Sequence, residues 1–213
     1  RSMLETGWCM WALSGGSTPR GVLQRLATEP YRSRIVWNRL HLFWGDEREV
    51  SPDHPESNYR MVREALIDRI DDIDIPDVNI HRIEAELGAD EAATRYESEL
   101  ARLFDESPPL FDLVWLGMGD DGHTASLFPG TGAVEIKDRN VAAVHVAELD
   151  THRISLTLPV LNAAREVMVL VAGDDKASML ERVMGTEQST PDLPVSMVRP
   201  EDGTIRWYVD RSA

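Results

Sequence analysis

Three times in this chain an apolar run breaks off at a glycine and hands over to residues that carry chemistry. These are WCMWALSGGST at Trp8 to Thr18, LHLFWGDER at Leu40 to Arg48 and FDLVWLGMGDDGH at Phe111 to His123. An apolar run followed by a glycine turn and a helix-like pattern reads as strand, turn and helix, and α/β sheets expose functional side chains at the carboxyl ends of their strands. In the third run Asp120, Asp121 and His123 stand in a glycine-rich turn that extends to Gly130, GMGDDGHTASLFPG. Histidine is the side chain whose ordinary pKa lies nearest neutrality, and aspartate is suited to orient it. Taken alone, an Asp-Gly-His tripeptide reads more readily as a polar loop that caps the next helix, with a solvated histidine.

The first run ends in SGGST and is followed by Pro19 and the helix-like spacing of Val22, Leu23 and Leu26. Gly15 and Gly16 can take positive φ, Thr18 suits a helix N-cap and Pro19 the first helical position. Unpaired amides at such a helix start favour an anion without any lysine, so Ser14, Gly15, Gly16, Ser17 and Thr18 read as a phosphate cradle. The loop is neither a Walker A loop nor a GxGxxG fingerprint, and many strand-to-helix turns use these residues for backbone reasons alone.

Five segments in order, SGGSTP, GDER with HPESNYRM after it, GMGDDGHTASLFPG, RISLTLPVLNAA and VAGDDKA, resemble the 6-phosphogluconolactonase branch of the glucosamine/galactosamine-6-phosphate isomerase and 6-phosphogluconolactonase family. The resemblance runs from about Leu13 to Val209. It implies hydrolysis of 6-phospho-D-glucono-1,5-lactone in the oxidative pentose phosphate pathway, a carboxylic ester hydrolase activity on a sugar-phosphate lactone. His123, Asp121 and Asp46 are then the catalytic candidates. Ser14 to Thr18, Arg48, Asn58, Arg153 and Lys176 are the substrate- and phosphate-binding ones. Relatives carry a further helix before the first strand, so Arg1 reads as an internal residue of a longer protein and one sheet face as less covered.

Ester chemistry assigns the steps. His123 takes a proton from water as it attacks the lactone carbonyl, either Asp121 or Asp46 holds the imidazole, and Arg48 or loop amides stabilise the oxyanion. HExxH and paired-cysteine spacings are missing from the sequence, and neither a metal nor a cofactor is expected. Two other readings stand beside this one. A glucosamine-6-phosphate deaminase-type isomerase needs a carboxylate-bearing segment after the Asp-Gly-His, where this chain has Thr124, Ala125, Ser126, Leu127, Phe128 and Pro129. A non-catalytic sugar-phosphate sensor domain has no use for the Asp-Gly-His block.

With 213 residues, 42% of them hydrophobic, the chain can bury a sizeable core, and no linker divides it, so 1–213 is expected to be one domain. A single cysteine, Cys9, excludes an internal disulfide. Without a membrane-length apolar stretch or signal-peptide pattern, a cytoplasmic location is expected. A net charge of −15 argues against nucleic acid and anionic membranes as partners, and it opposes long-range attraction of a sugar phosphate. A phosphate site must therefore be locally positive. Of 22 basic residues only Lys137 and Lys176 are lysines. Lys176 follows the apolar run at 167–172 and the turn Gly173, Asp174, Asp175, at the start of another helix, where an ammonium can meet phosphate. Arg60, Arg63, Arg69, Arg95 and Arg102 lie at helical spacing among acids and read as solvated faces.

Strands are predicted at 8–13, 39–44, 78–82, 111–116, 141–146, 153–158, 166–172, 195–198 and 204–209, and helices near 19–28, 57–67, 88–104 and 175–184. The alternation predicts an α/β fold, a mainly parallel sheet with helices on both faces, Rossmann-like as in the family. On the helix at 88–104, Ala92, Tyr96, Leu100 and Leu103 form one apolar stripe, and Trp11, Trp37, Trp44 and Trp115 are expected in the core.

Overall fold

A computed structural model describes residues 7–70, 75–104, 108–185 and 190–213. The expectation of a preceding helix concerns residues outside these. In chain order the strands are β1 (Cys9–Leu13), β2 (Leu40–Trp44), β3 (Asp46–Arg48), β4 (Ile80–His81), β5 (Leu113–Leu116), β6 (Val141–Val146), β7 (Thr151–Leu156), β8 (Glu166–Val171) and β9 (Thr204–Val209). The α-helices are α1 (Ser17–Leu26), α2 (Asn58–Ala65), α3 (Ala89–Leu103), α4 (Leu158–Ala163) and α5 (Ala177–Met184).

Six strands form a wholly parallel sheet in the order β4-β2-β1-β5-β8-β9. From β1 the chain steps outward through β2 to β4, returns to β5 on the other side of β1, and steps outward again through β8 to β9. Crossovers between parallel strands are right-handed, so reversing the direction of travel moves the connecting helices to the opposite face. Helices therefore cover both faces, and the inner strands are apolar on both sides: Ala12, Leu13, Val114, Leu116, Val169 and Val171 are all buried. No helix among the described residues is long and apolar enough to cross a membrane.

The remaining strands depart from the sequence expectation. β6 and β7 do not join the main sheet; with the unpredicted β3 they form a separate antiparallel sheet, β3-β7-β6. Gly45 is the junction: its N–H donates to Leu13 of β1, and its carbonyl accepts from Leu156 of β7, both at 2.8 Å. The strand predicted at 195–198 is instead a 3₁₀ turn, Pro194–Met197, because Pro194 opens a tight turn. Leu158, expected to end a strand, begins α4, where Pro159 sits in the first turn. The N-cap of α1 is Gly16 rather than Thr18, so Pro19 falls third in the helix, where no N–H is yet required of it.

Helix α3 forms as its pattern predicts. Asp90 and Glu91 lie in its first turn and Arg102 in its last, complementing the helix dipole, while Ala92, Tyr96 and Leu100 are buried and Leu103 is half-buried. Trp11, Trp37, Trp44 and Trp115 are all buried. Tyr96 pins the end of β2: its hydroxyl donates to the Trp44 carbonyl at 3.1 Å and accepts from the Trp44 N–H at 3.0 Å. Tyr96→Phe leaves both groups buried and unpaired directly before Gly45. The expected loss is about 1–3 kcal/mol, read as a fall in Tm of roughly 3–10 °C in thermal melts. An unchanged Tm would show that another group satisfies Trp44.

Candidate active site

The strand order reverses between β1 and β5, and in open α/β sheets the crevice at that point, beyond the carboxyl ends of the strands, is where ligands bind. A cleft of about 240 Å³ lies there, lined by Ser14 to Pro19 after β1, by Gly117 to Gly119 and His123 to Ala125 after β5, and by Leu170 to Ala172 with Lys176 at the end of β8. Asp46, Arg48 and Asn58 close it from the β3 side. Ten of the twelve sequence candidates thus meet at one cleft, and Asp121 and Arg153 stand just outside its lining.

After β1 the two glycines serve different needs. Gly16 has φ 103°, which a side chain would strain, whereas Gly15 makes room, because a Cβ there would overlap the Asn58 amide. The amides of Ser17 and Thr18, in the first turn of α1, have no carbonyl four residues back within the helix, and no acid occupies that turn. This end of the cleft is therefore a donor-rich, positive helix terminus.

After β5 the chain coils so tightly that a Cβ on Gly119 would overlap the His123 ring and the Asp121 carboxylate. Asp121 Oδ1 lies 2.6 Å from His123 Nδ1 and accepts the His123 backbone N–H at 3.0 Å. Burial alone would raise the Asp121 pKa, but the His123 amide and imidazole bring it below the usual carboxylate value. An ionised Asp121 fixes the proton of neutral His123 on Nδ1 and leaves Nε2 as the acceptor. The ring is stacked on Phe128, with centroids 4.1 Å apart. Ala125, in the same turn, has φ 47°, a strained conformation for a non-glycine residue at the cleft wall.

Asp46 has other partners. Its Oδ2 accepts from the Ser126 hydroxyl at 2.7 Å, and its Oδ1 and carbonyl accept from Asn58 Nδ2 at 3.3 and 2.9 Å. Of the two aspartates expected to hold the imidazole, Asp121 is the one in contact with it. Asp120 pairs instead with Lys176, which also lies 3.5 Å from Asp175. Burial would lower the Lys176 pKa, but the Asp120 contact outweighs it and raises the ammonium above its ordinary value.

Arg48 and Arg153 are direct cross-strand partners on β3 and β7. Like charges directly opposite one another destabilise a sheet, so the pair marks a place suited to negative charge. Arg153 is half-buried, and burial followed by Arg48 depresses its pKa; its Nη1 donates to Thr151 Oγ1 at 2.8 Å and to the His152 carbonyl at 3.0 Å. Arg48 Nη1 donates to the Glu56 carbonyl at 2.9 Å. Cys9 is at the far end of β1, and burial, with Asp112 beside it, pushes its thiol up to about 12, which leaves it inert as a nucleophile near neutrality. Among the described residues no group of three or more His, Cys, Asp or Glu side chains could hold a metal ion.

Sequence reasoning missed two buried groups behind the cleft wall, each bonded to residues that line it. Ser126, buried, is the hydroxyl on Asp46; Glu47, also buried, joins β3 to α2. Ser126 lay within a recognised motif but carried no signal of its own. Glu47 was hidden because three of its four partners lie ten to twelve residues away.

A family model described as glucosamine-6-phosphate isomerases/6-phosphogluconolactonase matches residues 2–207. The 6-phosphogluconolactonase of Synechocystis sp. is 41% identical, the match covering 100% of this chain and 86% of that protein. That of Haemophilus influenzae is 39% identical over 95% of this chain and 84% of its own length. The crystal structure of 6-phosphogluconolactonase from Thermotoga maritima superposes with a TM-score of 0.82 at 34% identity, covering 97% of this chain and 87% of that one. With its fold, its cleft and its full-length relatives in agreement, the chain belongs to the glucosamine-6-phosphate isomerase/6-phosphogluconolactonase family.

Proposed function

We propose that this protein hydrolyses 6-phospho-D-glucono-1,5-lactone to 6-phosphogluconate. The observation that carries the reading is the pairing, in one cleft, of a carboxylate-held histidine with a helix terminus and a lysine suited to phosphate. His123 Nε2 takes a proton from water as the water oxygen attacks the lactone carbonyl, and Asp121 stabilises the imidazolium that forms. Arg48, at the cleft wall, stabilises the oxyanion that forms. Collapse of the tetrahedral intermediate breaks the bond to the ring oxygen, which receives the proton back from His123. The phosphate lies on Ser14 to Thr18 and Lys176, with Arg153 adding charge from the neighbouring strand. Asn58 and Asp46 hold the wall opposite. Binding energy from the phosphate, which does not react, then positions the lactone.

The direct test is to generate the lactone in situ from glucose 6-phosphate and follow its disappearance with and without the protein, corrected for spontaneous hydrolysis. No acceleration by folded protein overturns the proposal. His123→Ala is expected to lower kcat by about two to four orders of magnitude with the fold intact, and His123→Asn, polar but not basic, by a similar factor. Near-parental turnover in either variant removes His123 as the base.

Asp120 supplies a prediction of opposite sign. Its side chain is three-quarters exposed and paired with Lys176, so it competes with phosphate for that ammonium. Asp120→Asn is expected to tighten binding of inorganic phosphate by about two- to fivefold, the scale of an exposed ion pair removed as competitor. Lys176→Ala weakens the same binding by roughly one to two orders of magnitude. Titration calorimetry reads both; weaker phosphate binding in the Asn variant would mean that Asp120 positions the lysine instead.

A further inference from the structure

We infer that Glu47 is a positioning residue for the reaction, an anion that fixes the start of α2 against β3 and so sets Arg48 and Asn58 in the cleft wall. The inference rests on the lactonase reading of that cleft. Glu47 is 3% exposed, and its side chain turns away from the cleft that its neighbours Asp46 and Arg48 line. Four donors converge on it. Oε1 accepts the N–H of Asn58 at 2.7 Å and of Arg48 at 2.8 Å; Oε2 accepts the N–H of Tyr59 at 2.8 Å and the Ser57 hydroxyl at 3.1 Å. The amides of Asn58 and Tyr59 are those of the first turn of α2, which no intrahelical carbonyl can satisfy. Ser57, the N-cap, bridges the two systems by also accepting the Arg60 N–H at 3.1 Å.

The consequence reaches the cleft through two residues. Asn58 is held by its own N–H on Glu47, and its side-chain amide then meets Gly15 of the phosphate loop and donates to Asp46. Arg48 is held by its backbone N–H on the same oxygen, while its guanidinium reaches Glu56 just ahead of α2. One buried carboxylate thus links the strand that carries Asp46 and Arg48 to the helix that carries Asn58. Glutamine has the same shape, but it offers one acceptor oxygen and turns an NH₂ toward amide donors, so half of the junction becomes donor against donor. Burial, the dominant influence, pushes the Glu47 carboxyl above its ordinary pKa; the amides of Tyr59, Asn58 and Arg48 oppose that and Asp46 adds to it. Among the described residues the charged groups acting on it are Asp46 on its own strand and Arg153 on β7, while the start of α2 and its N-cap Ser57 offer it amides and a hydroxyl.

The test compares the parent with Glu47→Gln and Glu47→Asp in kcat/KM for the lactone between pH 4 and 8, a range that starts below the ordinary carboxyl value, with circular dichroism to confirm folding at each pH. At pH 7.5 the Gln variant is expected to lose about ten- to a hundredfold in kcat/KM, the cost of misplacing reacting groups by less than an ångström or so. Protonated Glu47 resembles glutamine, so the ratio of parent to Gln variant should shrink as pH falls toward the raised carboxyl pKa. A capping role that only stabilised the fold would leave that ratio flat. The inference is overturned by a Gln variant within twofold of the parent, or by a deficit that does not change with pH. If the Gln variant does not fold, the Asp variant decides: it keeps the charge but is one methylene short, and parental kcat/KM in it overturns the inference. A parent without lactonase activity defeats the proposed function instead, before any variant is compared.

Discussion

Right-handed crossover is the constraint on which the rest of this molecule depends. Two outward paths of the same hand, β1 to β4 and β5 to β9, place their helices on opposite faces and leave a crevice between β1 and β5 that neither covers. The loops after those two strands must flank that crevice, whatever their sequence. This chain puts its glycine-rich segments in just those loops, one opening a helix terminus toward the crevice and the other folding His123 over Gly119. The second sheet closes the third side. The two hydrogen bonds of Gly45 attach it to the first, so β3 enters the cleft wall as a direct continuation of β2.

Within that frame, three aspartates that look interchangeable in sequence acquire different environments. Asp121 faces an imidazole and a backbone amide, Asp46 a hydroxyl and a carboxamide, and Asp120 an ammonium. A carboxylate fixed by neutral donors is a strut, and one hydrogen-bonded to a histidine selects its tautomer. An exposed carboxylate on a lysine is exchangeable, because such pairs contribute little.

Much of this was legible in the chain because the glycines report backbone geometry directly and the apolar runs are long enough to show a strand. The cores of β1, β2, β5 and β8 and the buried stripe of α3 follow from that signal. What was not legible has physical reasons. β3 is three charged residues, Asp46, Glu47 and Arg48, too short for a period, and exists because β7 pairs with it. α4, LPVLNA, is apolar but for Asn162, and its first residue, Leu158, reads as the end of a strand until Pro159 is given weight. The helix start at Gly16 rather than Thr18 depends on a φ value that composition does not report. Glu47 sat inside a motif recognised for its neighbours, and a carboxylate whose donors are backbone amides leaves no pattern in side-chain identity.

The charge balance sharpens the functional problem. A protein of net charge −15 repels a sugar phosphate at long range, so capture must come from short-range contacts that the solvent and the remaining acids do not screen away. The cleft meets this with two kinds of donor. The first-turn amides of α1 have no acidic side chain in their turn, whereas Lys176 has a carboxylate partner in Asp120. On the proposed function, a phosphate gains fully from the helix terminus but exchanges partners at the lysine. On that reading part of the phosphate's binding is offset by the lost ion pair, which would moderate retention of a product carrying the same phosphate as the substrate. The reacting end has no such exchange to make: His123 and Asp121 are already paired, stacked and locked by the absence of a Cβ at Gly119. Adjustable binding at one end and rigid chemistry at the other is the arrangement expected where remote binding energy orients a reactive ester.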